Sequence, residues 1–307
     1  MTFRDYSVFG LRVRSEIPLP ELFEAATGDA DVTIRLGEVP VVEGSDSGLA
    51  LDGDALILHI FGIARFRISG GDTIVVRPEP GVPDRNVRLY LLGSAFGALL
   101  HQRGLLPLHA NAIEVDGKAV AFTGASGSGK STLAAWFHDR GHRIAADDVC
   151  VVRFDSKTPH VSPGLPRLRL WLEALEAMGR EPSTYARSYA GAQNLEKFDV
   201  PVARETSAGA DLELEAVYLL DRGERFAIHR LEGIEAAEAV YANTYRGQYI
   251  GAAKGYLSHW AASIQLVQST PIYRLERPWG LDRLESDCER VLEHVRSGTL
   301  ADVVRRA

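Results

Sequence analysis

Cysteine is nearly absent from the chain. Its two cysteines, Cys150 and Cys288, lie far apart and share no metal-ligand spacing, which excludes a disulfide framework and a zinc site and is the usage of a reducing compartment. Basic residues are also short. Lys and Arg number 34 against 41 Asp and Glu, a formal net charge of −7, so the broad cationic surface that nonspecific nucleic-acid binding requires is missing. Long apolar runs are missing too. The longest, Leu89 to Leu100, is too short to span a bilayer and contains Gly and Ser. The start, Met1-Thr-Phe-Arg-Asp-Tyr-Ser, has no apolar signal-peptide core. The expectation is a cytoplasmic protein with no membrane or nucleic-acid partner, and Arg305-Arg306 reads as a solvated tail.

What is present is enough apolar material for a substantial core: 46% hydrophobic residues in 307, sufficient for one large or two modest domains. Residues 1–103 read as a β-rich accessory domain. Strand-like runs cover Tyr6 to Val13, Asp31 to Leu36, Ala55 to Ile60, Ala64 to Ile68 and Thr73 to Arg77. Asp84 is placed to cap a linking helix from about Asn86 to Arg103. Residues 104–307 are then the catalytic domain.

The chemistry concentrates in Gly124-Ala125-Ser126-Gly127-Ser128-Gly129-Lys130-Ser131-Thr132, a complete G-x-x-x-x-G-K-[ST] loop. Such a loop turns backbone N–H groups toward a polyphosphate, with glycine where a Cβ would obstruct. Its Lys reaches the β- and γ-phosphates and its hydroxyl ligates Mg²⁺. Lys118 to Thr123 reads as the buried strand before it and Ser131 to Arg140 as the helix after it, closed by Gly141. Asp116-Gly117 predicts a tight hairpin into that strand, so the phosphate-loop strand has an antiparallel neighbour and the sheet is mixed.

Arg143 to Ala146 predicts a strand returning beside the loop and ending in Asp147-Asp148, seventeen and eighteen residues after Lys130. Two carboxylates there suit phosphoryl transfer, one to hold Mg²⁺ and one to accept the proton of an attacking hydroxyl. Neighbouring side chains on a strand point oppositely, so both can serve only if the chain bends.

Leu108-His109-Ala110-Asn111, the phosphate loop, and Arg140-Gly-His-Arg-Ile-Ala-Ala-Asp-Asp148 together resemble the catalytic domain of HPr kinase/phosphorylase. The resemblance implies an α/β fold with a mixed-sheet P-loop kinase core of the HPr kinase/PEP carboxykinase-like type. It implies ATP and Mg²⁺, transfer to a Ser-type hydroxyl of a peptide or small protein, and assembly into homo-oligomers. By position it implies Lys130 on the phosphates, Ser131 on Mg²⁺, Asp147 supporting the metal, Asp148 as proton acceptor and His109 assisting at the reacting phosphate. The resemblance covers residues 105 to 175 and fails at Val161 to Trp171. There the family carries a Leu-Glu-Ile-Arg-Gly type signature with a metal-binding Glu, whereas here no Glu occurs before Glu173. The departure counts against the phosphorylase direction and against HPr as substrate. In this the chain is similar to divergent members that phosphorylate ribosomally made peptides, lasso peptides included.

Arg167 and Arg169 fall on one face of the divergent strand, available to phosphate or to an acidic substrate. Gly179 to Phe198 reads as a lid or a disordered loop. Tyr245-Arg246 and Lys254 offer further cations, and strands over Leu212–Asp221 and Phe226–Leu231 read as a hairpin. Helices are predicted over Ile234–Tyr245, Tyr256–Val267 and Leu281–Val295, the last ending at Gly298, with a strand over Ile272–Arg277. Two other functions use the same loop: a small-molecule kinase, and a nucleotide-binding adaptor that would not need the Asp pair.

Overall fold

The computed structural model of the chain describes residues 3–41, 48–191, 196–202, 210–253 and 255–306, the last eight of these as backbone. It is a mixed α/β structure built on sheets of eight, nine and three strands. The eight-stranded sheet belongs to the first eighty residues. The expected strand at Tyr6 to Val13 is a hairpin, Arg4–Val8 paired with Leu11–Ser15. Its turn uses Phe9 and Gly10 at φ 55° and 69°, and Phe at the first turn position carries none of the usual Asn or Asp signal for such a turn. The Asp84 helix begins at Asp84 itself, with no side-chain cap, and passes through a π-helical stretch at Leu91–Ala95 before ending at Gln102. Phe66, Ile74, Leu92, Phe96 and Leu99 pack between sheet and helix, and the same cluster takes in Val149, Val151, Leu165 and Tyr245 from far along the chain.

The nine-stranded sheet carries the phosphate loop. Ala110–Val115 and Lys118–Gly124 form the expected hairpin, with Val115 opposite Lys118 and the turn residues Asp116 and Gly117 at φ 51° and 83°. Lys118–Gly124 then pairs in parallel with Leu212–Arg222, which pairs in parallel with Ile272–Arg277. Strand Ile144–Ala146 pairs with Ala110–Val115 instead of with the phosphate-loop strand. Ala227–Leu231 does not form a hairpin with Leu212–Arg222, because Ile272–Arg277 lies between them and pairs with both.

Alternation along the hairpin sorts side chains by face. Ile113, Val115, Val120 and Phe122 pack with Leu133, Trp136 and Phe137 of helix Lys130–Asp139, while Ala110, Ala112, Ala119 and Ala121 face a second cluster containing Val240 and Leu266. The alanine face admits helices Gly233–Ala242 and Tyr256–Ser269. The final helix runs over Leu284–Arg306, through Gly298, so that glycine does not end it. Cys150 and Cys288 are both free and buried, their thiols pushed up to about 12 by burial. No described helix is long and apolar enough to cross a membrane.

Candidate functional site

Strand Lys118–Gly124 delivers the chain into the loop, and helix Lys130–Asp139 carries it away, closed by Gly141 at φ 86°. Within the loop Gly124, Gly127 and Gly129 sit at φ 137°, 83° and 91°. Two of these could not be replaced by alanine without movement. A Cβ on Gly124 would lie 2.6 Å from the Leu220 carbonyl oxygen, and one on Gly129 would lie 2.5 Å from an Arg277 nitrogen. Lys130 is buried and its Nζ donates to the Gly124 and Ala125 carbonyls at 2.8 and 3.0 Å. Burial foremost lowers its pKa to about 8. The Ser128 hydroxyl is buried with no partner among the described residues, an orphaned polar group of the kind a bound ligand satisfies.

The loop forms the floor of a cleft of about 640 Å³. Ser126 to Thr132, His109, Asn111 and Asp148 line it, together with Trp171 to Ala174 and Lys197 on one side and Arg277, Trp279 and Leu281 on the other. The chain therefore brings His109, Lys130, Ser131 and Asp148 together, as their motifs implied.

It separates the two carboxylates. The Val149 N–H donates to the Asp147 carbonyl at 2.8 Å, which makes a γ-turn centred on Asp148 at φ 70°. This strained conformation persists only where its surroundings hold it. The turn aims Asp148 into the cleft and leaves Asp147 facing the protein interior, 3% exposed. Asp147 Oδ2 accepts the Arg169 N–H at 2.8 Å and its Oδ1 has no partner among the described residues. Asp147 is absent from the cleft lining, so the expected metal-supporting role does not fit its position. Burial, and then the charge of Asp148, push Asp147 up to about 6. For Asp148 burial acts in the same sense, but Arg169, Lys197, His109 and Arg167 outweigh it and hold the carboxyl below its ordinary value. Asp148 is thus ionised at neutral pH.

His109 sits at the crossing between strands Leu106–Leu108 and Ala110–Val115. Its N–H donates to the Asn243 carbonyl at 2.8 Å, and its carbonyl accepts from the Thr123 hydroxyl at 2.9 Å. Its Nδ1 lies 3.1 Å from the Asp148 carbonyl and 3.6 Å from Oδ1. Burial and Lys130 lower its pKa despite Asp148. The neutral ring then carries its proton on Nδ1, facing the carbonyl, and leaves Nε2 as an acceptor.

Arg167 and Arg169 do share a face of strand Arg167–Trp171, but both are engaged. Arg169 reaches Asp148 Oδ2 at 3.3 Å and Asp199 at 3.7 Å, and Arg167 reaches Asp199 at 3.4 Å. Arg85 and the Ser188 hydroxyl add further hydrogen bonds to Asp199 at 2.8 and 2.5 Å. Neither Arg167 nor Arg169 lines the main cleft, so direct contact with phosphate is not their position; Arg169 acts on the cleft through Asp148. Arg246 stacks on Tyr245 away from the cleft, and Lys254 lies outside the described residues.

Sequence reasoning missed Asn111, Lys197 and Arg277. Asn111 is fully buried, and its Oδ1 accepts from the Asp148 backbone N–H at 3.4 Å while its Nδ2 has no partner among the described residues. Lys197 pairs with Trp171 across the three-stranded sheet, its ammonium 5.7 Å from the ring centroid. Arg277 is buried, with a nitrogen 3.5 Å from the Ser128 carbonyl. Asn111 closes the Leu108-His109-Ala110-Asn111 run but carried no assigned role there; Lys197 and Arg277 stand in no motif. Glu173 also lines the cleft. Among the described residues no group of three or more His, Cys, Asp or Glu could hold a metal by itself.

No protein-family model matches the chain. Over 54 residues it is 43% identical to the HPr kinase/phosphorylase of Chlorobium luteolum, a match covering 18% of this chain and 16% of that protein. That stretch is HPr-kinase-like. The resemblance read from the motifs is thus found by direct comparison, and the match spans about a sixth of the relative's length. The solved HPr(Ser) kinase/phosphatase of Coxiella burnetii aligns over 64% of this chain and 97% of its own, with 15% identity and a TM-score of 0.34. That likeness is too slight to bear on the fold or the site.

Proposed function

We propose that the chain is an ATP-dependent kinase with a P-loop core of the HPr kinase/PEP carboxykinase-like type, transferring a γ-phosphate to a Ser-type hydroxyl of a peptide or small protein. The observation that carries the reading is the presence, in one cleft with the phosphate loop, of the Asp148 carboxylate and the His109 imidazole, 3.6 Å apart. A nucleotide-binding adaptor would need only the loop.

The left-handed glycines of the loop and the Ser128 hydroxyl, which has no partner among the described residues, support a triphosphate there. Lys130 exchanges its two carbonyl partners for phosphate oxygens. Ser131 is the cleft's hydroxyl for Mg²⁺, which when bound neutralises phosphate charge and, preferring waters and substrate oxygens, needs no all-protein cage. Asp148 accepts the hydrogen bond of the acceptor hydroxyl and takes its proton as that oxygen bonds to the γ-phosphorus and the bond to the β–γ bridging oxygen breaks, releasing ADP. Arg169 holds the Asp148 carboxylate and Asn111 the backbone N–H of the same residue, and Lys197 places a second cation on the side where charge develops. Residues 1–103 serve as an accessory domain.

The test is transfer from radiolabelled ATP to a panel of Ser-containing peptides and small proteins. Lys130→Ala is expected to abolish it, with nucleotide affinity lost. Slow hydrolysis with no acceptor labelled, unaltered by Asp148→Asn, would show an adaptor instead.

A further inference from the structure

We propose that the wall of the cleft opposite Asp148 is a nucleobase site with Trp279 as its stacking surface, an inference that rests on the phosphate loop's being a nucleoside triphosphate site. Strand order sets the polarity. From one edge the sheet runs Ile144–Ala146, Ala110–Val115, Lys118–Gly124, Leu212–Arg222, Ile272–Arg277. Asp148 follows the first of these strands and Trp279 follows the last, so they flank the phosphate loop from opposite sides. A triphosphate whose terminal phosphate meets Asp148 leaves its nucleoside for the far side.

The far wall is suited to a flat apolar ligand. Trp279 is 47% exposed and lines the cleft with Gly280, Leu281 and Leu284. Arg222 lies over its ring, 5.4 Å from the centroid, which holds the indole from one side, and Pro278 restrains the backbone before it. Arg277, buried and reaching the Ser128 carbonyl, ties this wall to the loop. The other exposed tryptophan in the cleft, Trp171, belongs to the strand whose Arg169 pairs with Asp148 and therefore stands on the reacting side. Trp279 is the aromatic face left for the base, and stacking on an indole is available to any nucleobase.

Calorimetric titration with ATP and with inorganic tripolyphosphate, each with Mg²⁺, tests this on the full chain. Trp279→Ala is expected to weaken ATP about tenfold, to leave tripolyphosphate unchanged, and to be largely reversed in Trp279→Phe. Wild-type ATP affinity in Trp279→Ala would overturn the proposal, as would a parallel loss of tripolyphosphate, which would mark a structural effect on the loop. A wild-type chain that binds neither ligand would instead overturn the triphosphate reading beneath it.

Discussion

The floor of the cleft finds most of its polar partners close in sequence, Arg277 on the Ser128 carbonyl excepted, and the carboxylate wall draws them from across the chain. In the loop, Lys130 hydrogen-bonds to the carbonyls of Gly124 and Ala125, and the Ser128 N–H donates to Ala125 at 3.1 Å. In the wall, Asp148 is oriented by Arg169 and Asn111, and Asp199 gathers Arg85, the strand pair Arg167 and Arg169, and Ser188 from three separate segments. A floor of this kind forms wherever a strand runs into a helix through these glycines. The wall exists only when the sheets have assembled, and that is where the two neighbouring carboxylates acquire opposite properties.

Substitutions at the wall sharpen the contrast most. Asp148→Asn is expected to keep nucleotide affinity while transfer falls about 10³-fold, read by calorimetry beside a transfer assay. Wild-type rates would remove Asp148 from the chemistry. Asp199→Asn leaves Arg85, Arg167 and Arg169 without their shared anion, and the loss is expected to be about 3 kcal/mol, measured by urea denaturation. A loss no larger than a surface substitution's would mean that the network does not hold the wall.

Asp147 behaves in the opposite sense. Its carboxyl is raised from 3.8 to about 6 in the folded chain, so the stability tied to its protonated form is fully present below pH 3.8 and is lost as pH rises through about 6. Asp147→Asn keeps an acceptor for the Arg169 N–H and removes the buried charge. It is expected to stabilise the chain by about 3 kcal/mol above pH 7, with the gain shrinking toward pH 4 and transfer left within about tenfold of wild type. Denaturation curves across that range check the sign. A variant less stable at pH 8 would break the distinction between the two carboxylates.

The smallest effect belongs to the floor. A Cβ on Gly127 would meet no atom within 4 Å, and its cost is only the φ of 83°. Gly127→Ala is expected to lower stability by about 1 kcal/mol, measured by thermal unfolding. Gly129→Ala should cost more, because it also displaces Arg277.

The phosphate loop, its strand and helix and the Asp116-Gly117 hairpin were legible in the residues, because each depends on a turn, a period or a motif spanning a few positions; the meeting of His109 with Asp148, 39 positions on, was implied only by the resemblance. The Phe9-Gly10 hairpin was not, since its turn uses an atypical residue. Nor was the insertion of Ile272–Arg277 between two strands read as a hairpin, since strand pairing across fifty residues leaves no local mark. Lys197 and Arg277 reach the cleft from 67 and 147 positions beyond Lys130, and no spacing rule connects them to it.

What the sequence determined alone was the glycine-rich loop between strand and helix, because backbone torsions at three glycines and one lysine create it within a single turn. It determined also that two acids follow close behind. The tertiary structure decided which acid faces the cleft and which is buried, because that depends on a strained turn held by Asn111, Arg169 and the packed sheet around them. Charge in a folded chain takes its character from neighbours in space, and those neighbours are not adjacent in sequence.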